Sequence, residues 1–165
     1  MNKSVVKLTP IGGQAENGKS MYCLEIDDQW FIIDAGYRFP EVDKLGVDVI
    51  IPNFDYLKEN KDKIKAIFIT HGHDDVMGAL PYLLQEVNVP IYTTDLTADL
   101  IDQLLQRYMR HSHVSYKYKI KRVNMNATIK VAGVTVEFFP ITHSIPGSVG
   151  LAFLTPNGYV VYSSE

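Results

Sequence analysis

The segment Ile67-Phe68-Ile69-Thr70-His71-Gly72-His73-Asp74-Asp75-Val76-Met77-Gly78-Ala79-Leu80 has the spacing of metal chemistry with one ligand missing. The apolar, β-branched run from Ala66 to Ile69 predicts a buried strand. From its end His71 and His73, at i and i+2, leave on the same side and bring two ring nitrogens toward one point. Asp75, at the turn into a helix, offers an oxygen to a second ion beside the first, as a two-metal hydrolytic site requires. The intact pattern would read His-x-His-x-Asp-His, and Val76, in the final position, can bind neither ion. The bland alternative is a pair of histidines that cap a strand and donate hydrogen bonds. Two histidines and an aspartate between a buried strand and Gly78 argue for descent from a metal site, and leave present metal binding open between the two readings.

The elements that must position these groups follow from pattern. A chain of 165 residues, 46% hydrophobic and 21% charged, fits one soluble globular domain with a real core. Its apolar stretches are of strand length and no charged-then-apolar leader precedes them, so neither a membrane span nor export is expected. Cys23, the only cysteine, cannot form an internal disulfide and reads as a small strand residue, in keeping with a cytoplasmic protein. A net charge of −3 argues against gripping a phosphate backbone by bulk electrostatics.

Strands are predicted from Ser4 to Leu8, Met21 to Ile26 and Trp30 to Asp34, the last two joined by a tight turn at Asp27-Asp28. A further strand is expected from Val47 to Ile51, then a helix capped by Asn53 through about Glu59. The motif-bearing strand runs from Ile64 to Thr70, a helix from Gly78 to Glu86 and a strand from Val89 to Thr93. Asp95 to Arg110 is the strongest helix, with Leu96, Leu100, Leu104 and Tyr108 stacked and Ile101 and Leu105 widening the stripe. Strands return at Thr128 to Val131, Val134 to Phe139, Val149 to Thr155 and Gly158 to Tyr162. Two blocks of strands with helices between and around them predict two sheets packed face to face, each covered outside by helices. His111-Ser112-His113 repeats the His-x-His spacing without a carboxylate and reads as a surface loop. In Tyr116-Lys117-Tyr118-Lys119-Ile120-Lys121-Arg122 the lysines are favoured as protection of a half-buried edge strand, over a phosphate-facing role.

Several ordered motifs together resemble the metallo-β-lactamase superfamily and, more narrowly, the ribonuclease J family, most like its catalytically degenerate second kind. They are Gly12-Gly13 with Asn17 to Tyr22, Phe31-Ile32-Ile33-Asp34-Ala35-Gly36, Leu45 to Pro52, the histidine motif continuing through Gly78-Ala79-Leu80-Pro81-Tyr82-Leu83-Leu84, and Thr142-His143-Ser144-Ile145-Pro146-Gly147-Ser148. The resemblance implies an α+β fold, a four-layered αββα metallo-β-lactamase-type sandwich. Residues 1–165 would be its truncated N-terminal portion, with the β-CASP and C-terminal domains absent from this chain. It implies His71, His73 and His143 as ligands of a first ion, Glu165 in the position bridging two ions, and Asp75 on the second. Asp75 and His143 would belong to the catalytic set, and Asp34 would fix a loop or a ligand histidine.

Two departures weaken the implied site. Val76 replaces an imidazole, and Glu165 stands where the family usually has an aspartate. The extra methylene pushes the carboxylate by roughly 1.5 Å, whereas metal sites tolerate about ±0.2 Å. At most one weakly bound zinc or manganese ion is therefore expected, and the isolated chain is expected to be inactive. The family implies a metal-dependent ribonuclease, acting as 5′-to-3′ exonuclease and endonuclease in rRNA maturation and mRNA decay, with RNA as the full-length protein's substrate. The alternatives are a non-catalytic subunit that binds and stabilises an active ribonuclease J paralogue in a homo- or hetero-oligomer, and a small-molecule hydrolase of the same fold.

Overall fold

The computed structural model describes residues 4–164. Strands β1 (Val6–Gly12), β2 (Met21–Ile26) and β3 (Gln29–Ile33) form an antiparallel meander. Asp27 makes the β2–β3 turn possible by adopting φ 51°, a left-handed conformation that aspartate tolerates better than most residues. After α1 (Asp55–Glu59) and a 3₁₀ turn at Lys61–Lys63 comes β4 (Ile64–Phe68), which pairs in parallel with β3. Then follow α2 (Asp74–Met77), α3 (Leu80–Glu86), β5 (Ile91–Thr93), α4 (Asp95–Ser112) and β6 (Ile120–Arg122). β7 (Thr128–Val131), β8 (Val134–Pro140), β9 (Val149–Thr155) and β10 (Gly158–Tyr162) make an antiparallel second sheet.

The six-stranded sheet has the order β1-β2-β3-β4-β5-β6 and the four-stranded sheet β10-β9-β8-β7. Side-chain alternation divides the first sheet between two cores. Phe31, Ile33, Ala66 and Phe68 face the second sheet and meet Val136, Phe138, Leu151 and Phe153. Phe68 lies at the centre, its ring 5.4 Å from that of Phe153 and 5.3 Å from that of Tyr92. On the opposite face Ile32, Ile67 and Ile69 meet helical residues including Leu57, Leu80, Leu83 and Ile101. Three of the four layers of an αββα sandwich are thus present among the described residues. Leu154, Tyr159 and Val161 of the second sheet are exposed.

Several elements differ from the sequence expectation. Val47 to Ile51 is not a strand: Ile50 alone makes an isolated bridge, to Arg38. Val47 and Asp48 are exposed and Val49, Ile50 and Ile51 only half-buried, so the segment has no face packed on a core to hold it in a sheet. The buried face of α4 is rotated from the expected leucine stripe onto Thr97, Ala98, Ile101 and Leu105, leaving Leu96 exposed and Leu100 and Leu104 only partly buried. His111 and Ser112 continue α4 rather than forming a loop, and His113 ends it with φ 53°. β6 is an edge strand as expected, but pairing starts only at Ile120. Tyr118 turns inward to donate to Asp102 (2.6 Å) and Tyr116 to the Pro81 carbonyl (3.0 Å), with Lys117 and Lys119 exposed.

Candidate metal centre

The parallel pairing of β3 and β4 sets Asp34 and Thr70 side by side, just past the strand ends. The Asp34 backbone N–H donates to the Phe68 carbonyl (2.9 Å), and Asp34 takes φ 60° to turn its carboxylate under the next strand. Its Oδ1 accepts the Thr70 N–H (2.9 Å) and hydroxyl (3.0 Å), and its Oδ2 accepts the Tyr162 hydroxyl (2.9 Å). Burial, and then the Asp34 charge, push the Tyr162 phenol far above its ordinary value, so it stays protonated and donates. The Thr70 Oγ1 lies 3.1 Å from His71 Nδ1, and the Ser164 Oγ lies 2.8 Å from that hydroxyl and 3.3 Å from the same ring nitrogen. Asp34, Thr70 and His71 are fully buried. With the Thr70 proton directed at Asp34, the hydroxyl oxygen can accept a proton held on His71 Nδ1, which leaves the Nε2 lone pair for a ligand.

His71 Nε2 lies 3.1 Å from His73 Nδ1. His143 arrives from the β8–β9 loop, which is tied back by Ile141 N–H to the Ser148 carbonyl (3.1 Å) and by Val149 N–H to the Thr70 carbonyl (3.0 Å). One ligand atom from each of His71, His73 and His143 lies within 4.8 Å of the others. Tetrahedral Zn–N bonds of about 2.0–2.1 Å put ligand nitrogens about 3.3 Å apart, so side-chain shifts of up to about 1.5 Å close this set. Three imidazoles with one side open to a cavity match the donor set of a single zinc-type ion.

The second expected ion has no such set among the described residues. Asp75 lies outside the histidine cluster and instead lines a cavity of about 460 Å³ with His73, Asp74 and Tyr37. Burial, and then Asp74, push the Tyr37 phenol up to about 12. Val76 is fully buried in the core beneath the helices, and its carbonyl accepts the Ala35 N–H (2.6 Å). The backbone here is clamped tightly: Ser20 N–H donates to the Asp75 carbonyl (3.0 Å) and Tyr37 N–H to that of Asp74 (3.1 Å). A Cβ on Gly36 would stand 1.5 Å from the Asp75 carbonyl oxygen, so glycine is required. Glu165 lies outside the described residues. Sequence reasoning gave no role to Thr70, Tyr162 or Ser164 as partners of this site. A hydroxyl beside a histidine carries no signal until folding joins Thr70 to Ser164 across 94 positions.

The fold and the three-histidine site define a class: the chain belongs to the metallo-beta-lactamase superfamily, whose profile matches residues 16–162. That superfamily implies metal binding, in keeping with the histidine cluster. The chain is 43% identical over 164 residues to Ribonuclease J 2 of Staphylococcus saprophyticus, covering 99% of this chain and 28% of the relative. Ribonuclease J 2 of Staphylococcus aureus is 40% identical over 160 residues, again with 28% of its length spanned. Among solved structures, the metallo-beta-lactamase fold protein YhfI from Bacillus subtilis matches with a TM-score of 0.62 and 22% identity, covering 99% of this chain and 63% of that one, a likeness of fold. No helix among the described residues is long and apolar enough to cross a membrane.

Proposed function

We propose that this chain is the metal-binding portion of a cytoplasmic ribonuclease J-type RNA-processing protein, one that holds a single zinc or manganese ion and has weak or lost nuclease activity of its own. The reading rests on one conjunction: a three-histidine cluster in a chain about 40% identical to Ribonuclease J 2 proteins, with Val76 committed to the core. When bound, such an ion polarises a phosphoryl oxygen and lowers the pKa of a water. His71, His73 and His143 bind it, and Thr70 with Asp34 holds the His71 ring in the ligating orientation. The cavity beside His73 admits the scissile strand.

The implied whole-protein reaction is phosphodiester hydrolysis, 5′-to-3′ exonucleolytic and endonucleolytic, in rRNA maturation and mRNA decay. Further domains of the full-length protein would clamp the RNA. The burial of Val76 and the separation of Asp75 from the cluster favour a second reading beside it, a structural subunit of an active ribonuclease J paralogue. Cleavage of a 5′-monophosphorylated RNA by the full-length protein, alone and mixed with its paralogue, tests both. We expect little turnover alone, and complex formation at micromolar concentration with a changed partner rate. Absence of metal-dependent cleavage in the mixture above that of the paralogue alone, together with no complex by sedimentation, would overturn both.

A further inference from the structure

α4 carries Gln103, Gln106, Arg107, Arg110 and His111 at i, i+3, i+4, i+7 and i+8, a single helical face. All five are exposed, so none is held by packing. They form one wall of a cavity of about 590 Å³ whose other wall includes Gly72, His73 and Asp74, and His73 belongs to the histidine cluster. The groove therefore opens directly onto the candidate metal centre. The rotation of α4 that buries Ile101 and Leu105 turns this stripe toward the groove.

The electrostatics of the groove differ from those of the chain as a whole. Arg38 is paired with Glu16, and Arg122 with Asp95 and Asp99, but neither Arg107 nor Arg110 has an ion pair among the described residues. Among the described residues Asp74 is the only carboxylate lining the cavity against two guanidinium groups, in a chain of net charge −3. Cations in the last turn of a helix also complement its dipole, which would account for Arg110 and His111. Gln106 donates to Asp102 one turn back (2.6 Å), but dipole complementarity does not account for Arg107 or Gln103 on the same face.

We infer that this groove seats the backbone of a single-stranded RNA leading to the histidine cluster, with Arg107 and Arg110 each holding a phosphate and Gln103 hydrogen-bonding the sugar-phosphate edge. The planar guanidinium fork suits bidentate phosphate binding. From Gln103 to Arg110 the helix advances roughly 10 Å at about 1.5 Å per residue, near three phosphate steps of stacked strand at about 3.4 Å each. The contacts are to backbone, so the groove positions the strand without reading its sequence. This inference rests on the ribonuclease reading and adds the path of the substrate.

The test is fluorescence anisotropy of a labelled oligoribonucleotide of about twelve nucleotides, in EDTA so that no metal-dependent cleavage occurs, titrated with the chain over a range of salt. Arg107→Gln with Arg110→Gln should weaken binding roughly tenfold or more at low salt and reduce the slope of log K against log salt by about 1.4, for two phosphates lost. Lys117→Gln with Lys119→Gln removes the same charge from the exposed segment just before β6, and should change affinity by less than about twofold. Equal losses in the two double variants, or no loss in the arginine pair, overturn the inference. So does a wild-type chain that binds no oligoribonucleotide. None of these results touches the ribonuclease J-type reading, which is tested separately by the full-length protein alone and mixed with its paralogue.

Discussion

Thr70→Val replaces a buried hydroxyl by a methyl of nearly the same size and so isolates what the hydroxyl does. Thr70 Oγ1 is 3.0 Å from Asp34 Oδ1 and 3.1 Å from His71 Nδ1, both out of solvent, and 2.8 Å from the Oγ of the half-buried Ser164. Asp34 keeps the Thr70 N–H and the Tyr162 hydroxyl, so its carboxylate is not stranded. The loss is therefore one hydrogen bond to a charged group plus partial abandonment of His71 Nδ1, about 2–3 kcal/mol in total. Against the roughly 5–15 kcal/mol typical of a domain, the variant stays folded at room temperature. Zinc affinity should fall about 10–100-fold, because His71 loses the partner that fixes its tautomer and ring plane. Thr70→Ser keeps the hydroxyl and should recover most of that affinity. Zinc titration against a competing chromophoric chelator, with urea denaturation in parallel, separates the two effects. If the valine and serine variants bind zinc as tightly as the wild-type chain, the Asp34–Thr70–His71 relay has no positioning role.

Val76→His should lower stability by about 2–4 kcal/mol through a buried imidazole and overpacking, without adding a second ion, because the side chain points into the core; thermal melts and metal analysis check both parts. Burial raises the Glu25 carboxyl, but hydrogen bonds from Thr9, Tyr56 and Lys7 together outweigh it and hold the group below its ordinary value. Its stabilisation is thus present above the unfolded pKa of about 4.3 and lost as pH falls through the lower folded value. Glu25→Gln should cost about 1–2 kcal/mol at pH 7 and flatten the acid limb of the stability profile, measured by urea denaturation across pH. The Cys23 thiol, pushed up to about 12 by burial and then by Glu25, should resist alkylation in the native chain and react on unfolding, as mass spectrometry after iodoacetamide would record.

Strand identity was readable wherever short apolar runs were bounded by turn residues: β2, β7, β9 and β10 fall where the Asp27-Asp28, Ala132-Gly133 and Pro156-Asn157-Gly158 turns put them, although β2 and β9 are buried almost throughout. Val47 to Ile51 has the composition of a strand and no place in the sheet, a constraint that composition cannot express. The facing of α4 is set by which side meets α3 and β6, and that tertiary choice turned the leucine stripe partly outward. His71 and His73 were legible from spacing, while His143 was legible only through resemblance, since a loop 70 residues away joins them only in the fold. The hydroxyl partners Thr70 and Ser164 and the arginine stripe facing His73 emerge only once β4, β10 and α4 are placed together.

The claim that His71, His73 and His143 form a one-ion centre is tested most directly by counting metal. Inductively coupled plasma mass spectrometry on the chain, loaded with zinc and desalted, should find close to one ion per chain or less. Alanine at any one of the three histidines should reduce it, and replacing all three should abolish it. Two ions per chain, or unchanged zinc content in the triple variant, would contradict the account.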